Sequence, residues 1–276
     1  MLTRRRLLAA SLASVAGAYA ARPGAAASIG FHTRRRTAAG PIEQSQALAA
    51  RQTLIIICDM WDDHYCRSSV RRLEALVPRM NQTLDAARAL GVHVIHAPSG
   101  TMDFYRDAPQ RLAMQAVEPS KPPVPIERWC YLDPKSEAAL PIDDAEACDD
   151  EVPRAKVRFY NREHPGLVIA PQDGISDDGQ EIYNYCAREG VKNVLLMGVH
   201  ANMCVLGRPF GIRQQTRLGM NVMLVRDLTD AMYDPRDRPY VTHEQGTQLV
   251  IEHIERFWCP TVLSQDLIDA AGAVSD

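Results

Sequence analysis

Thr53–Asp59, "TLIIICD", is a continuous apolar run of mostly β-branched side chains. Such a run predicts a strand buried on both faces. From about Val70 to Leu90 the apolar positions recur at helical spacing, and Gly91 closes the segment. Val92–Pro98 reads as the next strand. Ser99 to Pro165 has no clean periodicity and carries many of the prolines, which predicts a long excursion over one end of the sheet with a short helix near Pro109–Val117. A structureless loop of that length counts against the assignment unless it is a functional lid. Order resumes with a short strand at Gly166–Pro171, a helix at Gly179–Glu189 ended by Gly190, and a third buried run, "NVLLMGV" (Asn193–Val199). A helix then runs from Cys204 to Gly219, a strand over Asn221–Asp227, a helix over His243–Phe257 and an edge strand at Pro260–Ser264. This alternation predicts a mostly parallel sheet covered on both faces, with ligands at the carboxyl ends of its strands.

The N-terminus changes the picture. "MLTRRRLLAASLASVAGAYAARPGAAAS" has a basic start, an apolar stretch and a small-residue end, the pattern of a secretory signal over residues 1–27. Thr3-Arg4-Arg5-Arg6-Leu7-Leu8 resembles the twin-arginine type, so the expected location is periplasmic or extracellular. Ser28 to Gln52, with Arg34-Arg35-Arg36, reads as a flexible polar leader outside the fold. The domain is then 53–264, with a lid insertion at about 99–165 and a C-terminal tail over 265–276.

Removing the first 27 residues removes four Arg and no acid, taking the formal charge from −3 to −7. No basic patch suits nucleic acid, and no later apolar run is long enough for a membrane span. The seven cysteines leave at least one unpaired. Cys58 and Cys186 lie in apolar or helical contexts, as buried thiols do. Cys130 and Cys148 bracket the irregular segment and are the candidate disulfide, which would hold the lid.

Candidate chemistry gathers at the strand ends. Cys204 starts a helix directly after a buried strand, where unpaired N–H groups favour thiolate. Asp59 ends the first strand and reaches the same crevice, where a carboxylate can take a thiol's proton and return it to a leaving amine.

"IIICDMWDDH" resembles the strand-plus-Asp opening of the isochorismatase-like cysteine hydrolases, and "NVLLMGVHANMCV" with "RLGMNVMLVRDLTDA" is similar to their nucleophile segment and following strand. The resemblance spans roughly Thr53 to Phe257. It implies a three-layer α/β/α sandwich with a six-stranded parallel sheet. It also implies attack on an amide or related acyl C–N bond through a thioester, and a small-molecule substrate, homo-oligomers and no cofactor. Cys204 would be the nucleophile, Asp59 its base, and the backbone N–H groups of His200 and Cys204 the oxyanion hole, with a cis peptide at Val199–His200.

Three departures follow. "HAPSGTMDFYRD" lacks the Asp-x-His spacing of the nicotinamidases, so no metal is expected. His93 and His96 are read as core or rim residues on opposite faces of a strand. The family's lysine is replaced near the third strand by Gln172 or Asp173, with Lys156 as the alternative from the lid; Arg158, Arg162 or Arg208 could supply the charge instead, without exchanging a proton. Arg208, four residues after Cys204, is either a holder of a substrate carboxylate or an ion-pair partner between helix and lid. The competing reading is a catalytically silent binding or assembly protein that keeps the fold without the lysine. A redox role for Cys66 and Cys204 is a third, without a C-x-x-C motif to carry it.

Overall fold

The structure, a computed structural model, describes residues 27–275. The expected signal segment lies outside the described residues, Ala27 apart.

Eight strands form one sheet. They are β1 (Ser28–Thr37), β2 (Gly40–Ala49), β3 (Thr53–Cys58), β4 (His93–Ala97), β5 (Gly174–Ile175), β6 (Asn193–Val199), β7 (Asn221–Asp230) and β8 (Thr261–Val262), in the order β2-β1-β8-β7-β6-β3-β4-β5. From β8 to β5 every pairing is parallel, which gives the six-stranded parallel sheet implied by the resemblance. β3 shows why it holds: all six residues are buried, with Leu54, Ile56 and Cys58 on one face and Ile55 and Ile57 on the other. Each fully buried Ile or Leu contributes about 1.5–3 kcal/mol.

Helices α1 (Arg67–Leu90) and α7 (Ser264–Ser275) cover one face. On the other lie α3 (Gly179–Glu189), α4 (Cys204–Gly207), α5 (Ile212–Arg217) and α6 (His243–Phe257). The short α2 (Pro109–Gln115) belongs to the lid, close to its expected place. The molecule is thus a three-layer α/β/α sandwich. No helix among the described residues is long and apolar enough to cross a membrane.

Four expectations are corrected. Residues 28–49 are a β-hairpin within the fold, not a flexible leader. Ile29 and Phe31 are fully buried under α7, while the alternate residues Arg34 and Arg36 reach the buried Glu255 of α6 at 2.7 and 3.3 Å. The arginine run looks solvated in sequence, but two of its three residues are paired with a carboxylate. The tail 265–276 is mostly helix α7, which packs on α1. Gly166–Pro171 forms no strand; the sheet instead takes Gly174 and Ile175 at its rim. The helix from Cys204 breaks after Gly207, because a residue before proline is driven out of the α region. Arg208 precedes Pro209 and is extended, at φ −61° and ψ 157°.

The lid has little regular structure, yet it is fastened at several points. Asp150 accepts from the first N–H groups of α1, at Arg67 and Ser68, both at 2.8 Å. Glu137, fully enclosed, takes Arg213 at 2.6 Å, His253 at 2.9 Å and the Trp258 indole at 2.8 Å. Cys130 N–H donates to the Gly207 carbonyl at 2.7 Å.

Candidate active site

The carboxyl ends of β3 and β6 lie side by side, with Cys58 in register with Gly198. A Cβ on Gly198 would fall 2.1 Å from the Cys58 carbonyl, so only glycine lets the two strand ends approach this closely. Asp59 follows Cys58 with φ +50°, a left-handed turn that an aspartate tolerates better than most residues and that leaves it fully buried. Its Oδ1 accepts from Ser99 N–H at 2.7 Å and its Oδ2 from Arg208 Nε at 2.8 Å. Cys204 begins α4 directly beyond β6, and its thiol interacts with both Asp59 and Arg208. The peptide bond between Val199 and His200 is cis, where the resemblance places one.

Arg208 therefore stands beside both the acid and the thiol. Pro209 explains how: by forcing Arg208 out of the helix it turns the side chain toward Asp59. Trp61 and Trp129 flank the guanidinium, with ring centroids 5.9 and 5.4 Å from Cζ. Trp61 is held in turn by Tyr160, stacked at 4.2 Å, and by a bond from its Nε1 to the Ser99 carbonyl at 3.1 Å. Trp129 packs where a Cβ on Gly207 would come within 2.6 Å. The lid thus supplies two of the aromatic walls.

Burial is the dominant influence on the Cys204 thiol and pushes it well above its ordinary range; Asp59 adds to this and Arg208 opposes it. This reverses the thiolate expected from a helix start. Only four residues long, α4 cannot outweigh an enclosed site. At rest Cys204 is a neutral thiol beside Asp59. The His200 side chain is tied to α1. Its Nε2 bonds the Ser69 hydroxyl of α1 at 2.6 Å, and burial lowers its pKa to about 3, so it is neutral.

The remaining sequence candidates lie elsewhere. Gln172 is exposed in a turn. Asp173 is buried between His96 at 3.2 Å and Arg88 at 2.6 Å. Lys156 pairs with Glu146 at 2.8 Å on the lid surface. Neither Gln172 nor Lys156 fills the lysine's place. Cys130 and Cys148 are free thiols at separate points, Cys130 beside Gln214 and Cys148 beside Cys66, so the expected bridge between them does not form.

A cavity of about 370 Å³ opens beside the site, walled by Ser99, Gly100, Arg128, Asp177, Gln180 and Arg208 among others. Asp59 and Cys204 lie behind this wall, against Ser99 and Arg208. The Ser99 hydroxyl was missed in sequence. It is buried and has no hydrogen-bond partner among the described residues.

No protein-family model and no curated protein matches the chain. Solved structures do. A cysteine hydrolase from Pseudomonas syringae is 14% identical, covering 82% of this chain and 95% of its own, with a TM-score of 0.49. An isochorismatase family protein from Burkholderia thailandensis is 13% identical over 80% and 96%, with a TM-score of 0.46. An isochorismatase-like hydrolase from Alkaliphilus metalliredigens is 14% identical over 80% and 97%, also at 0.46.

Proposed function

We propose that this chain is a divergent isochorismatase-like cysteine hydrolase, acting on a small molecule with an amide or related acyl C–N bond. The observation that carries the reading is the buried constellation of Asp59, Arg208 and Cys204 at the ends of two parallel strands. Arg208 takes the role expected of the missing lysine, setting a fixed cation against Asp59 beside the thiol.

In the proposed reaction Asp59 takes the proton from Cys204 as Sγ attacks the acyl carbon. The tetrahedral intermediate, its oxyanion met by the N–H groups of His200 and Cys204, collapses to a thioester. Asp59 returns the proton to the departing amine. A water, deprotonated by Asp59, then attacks the thioester carbon; the C–S bond breaks, the acid product leaves, and Asp59 returns the proton to the Cys204 sulfur. Arg208 holds charge throughout but cannot exchange a proton, so all proton traffic runs through Asp59. Mass spectrometry of the protein quenched in acid with a panel of small amides and activated esters tests this. An acyl mass on the Cys204 peptide, absent in Cys204→Ala, supports it. No acylation with any panel member favours the silent binding protein.

Ser99 is placed to bond a polar atom of the substrate. With a cleaved substrate in hand, Ser99→Ala should raise KM roughly fivefold to tenfold with kcat nearly unchanged, the loss of one hydrogen bond of about 1 kcal/mol. An unchanged KM removes Ser99 from substrate binding.

The reading also includes export, on the strength of the Arg4-Arg5-Arg6 leader alone, and self-association. N-terminal sequencing of the secreted form and light scattering test the two. An intact N-terminus in the cytoplasm, or a monomer at working concentration, rejects the respective part.

A further inference from the structure

Away from Asp59, Cys66 and Cys148 meet under the lid. Cys66 precedes α1 and is fully buried; Cys148 belongs to the lid and is almost as enclosed. Their sulfurs and a carboxylate oxygen of Asp150 all lie within 4.8 Å of one another. Ala147, Met232, Tyr65 and Met203 pack around the pair.

Two thiols and a carboxylate at this spacing suit either a soft cation or a sulfur–sulfur bond, and the surrounding charges decide between them. Asp149 is gripped by Arg72 at 2.7 and 3.1 Å. Asp150 already accepts from Arg67 N–H, Ser68 N–H and the Ser68 hydroxyl. Asp63 is held by Arg154 at 3.0 Å. Little uncompensated negative charge is left to attract a cation. Burial, with Cys148 beside it, pushes the Cys66 thiol up to about 12, so it is protonated at neutral pH.

We propose that Cys66 and Cys148 form a disulfide when the protein meets a disulfide oxidant, and that this bond fastens the lid to the loop that carries Asp59. A bond of ~2.05 Å needs the sulfurs to close by at most roughly 3 Å. One cysteine, deprotonated, attacks the oxidant's disulfide and expels a thiolate, leaving a mixed disulfide. The second cysteine attacks the protein-side sulfur, forms the Sγ–Sγ bond and expels the other thiolate. Two electrons and two protons pass to the oxidant, which leaves as two thiols. A cavity of about 440 Å³ is walled by the residues that follow each cysteine, among them Arg67, Ser68, Asp149 and Asp150.

The test is non-reducing peptide mapping of the full chain after incubation with oxidised glutathione and trapping with N-ethylmaleimide. The expected result is one linked peptide pair containing Cys66 and Cys148, lost on reduction. The oxidised wild type should melt roughly 5–15 °C above the reduced form, and Cys148→Ser should show no such difference. Recovery of both residues as alkylated free thiols, or Cys148 linked to another cysteine, overturns the proposal. Zinc retained through dialysis, with both thiols shielded from alkylation, assigns the cluster to a metal and overturns it equally. The mapping uses the wild type alone, so its outcome does not depend on whether the serine variant folds.

Discussion

Arg208→Met is expected to lower stability by about 3–5 kcal/mol in urea unfolding, the cost of leaving one member of a buried ion pair uncompensated. Asp59 is fully buried, and the Arg208 Nε at 2.8 Å is the cation in its hydrogen-bonding set. Asp59→Asn combined with Arg208→Met removes both charges, so the double variant should recover much of what the single one loses. The same change should silence the nucleophile. Arg208 opposes the burial and the Asp59 charge that keep Cys204 protonated. Without it, iodoacetamide labelling of Cys204 at mildly alkaline pH should slow about tenfold or more, since each pKa unit below the titration point is a factor of ten in thiolate. Arg208→Lys restores the charge and should label within a few-fold of wild type. A Met variant that is as stable and as reactive as the wild type would make the ion pair a bystander.

The second large effect concerns pH. His96 is fully buried with Nδ1 2.6 Å from Glu163 and Nε2 3.2 Å from Asp173, and the two carboxylates outweigh burial to raise its pKa to about 9. A histidine raised above its unfolded value of about 6.5 adds stability that is fully present below that value and lost as pH rises through the folded one. Between about pH 6.5 and 9 the wild type should therefore lose about 3 kcal/mol more than His96→Gln does over the same range. Unfolding curves at several pH values for both proteins check this. Parallel profiles would mean that His96 is neutral between its two acids.

Most of the sheet is legible because each strand is short, apolar and closed by a breaker. β3, β6 and α3 fall where the pattern puts them, and Gly91 and Gly190 end their helices in left-handed conformations, at φ +81° and +67°. Asp59 and Cys204 are legible for the same reason, as polar residues at the carboxyl ends of buried runs. The third member of the site is harder to read. Arg208 stands out by its spacing from Cys204, but its role depends on Pro209 ending the helix at once. A helical Arg208 would not carry the same orientation. His96 is correctly a core residue, yet Glu163 and Asp173, which give it its charge, are 67 and 77 residues further on. The cysteine pairing fails similarly: sequence sees two cysteines bracketing a loop, whereas the lid folds Cys148 back to Cys66.

The hairpin also bears on how the domain is completed during synthesis. β1 pairs with β8, and Arg34 and Thr261, partners in that ladder, are 227 positions apart. While the chain is still threading out of the ribosome, β1 has no neighbour on that side, and Ile29 and Phe31 lack the α7 surface that later covers them. This outer layer can close only after α7 has emerged. The hairpin, among the first of the described residues to leave the exit tunnel, is therefore among the last to find its place.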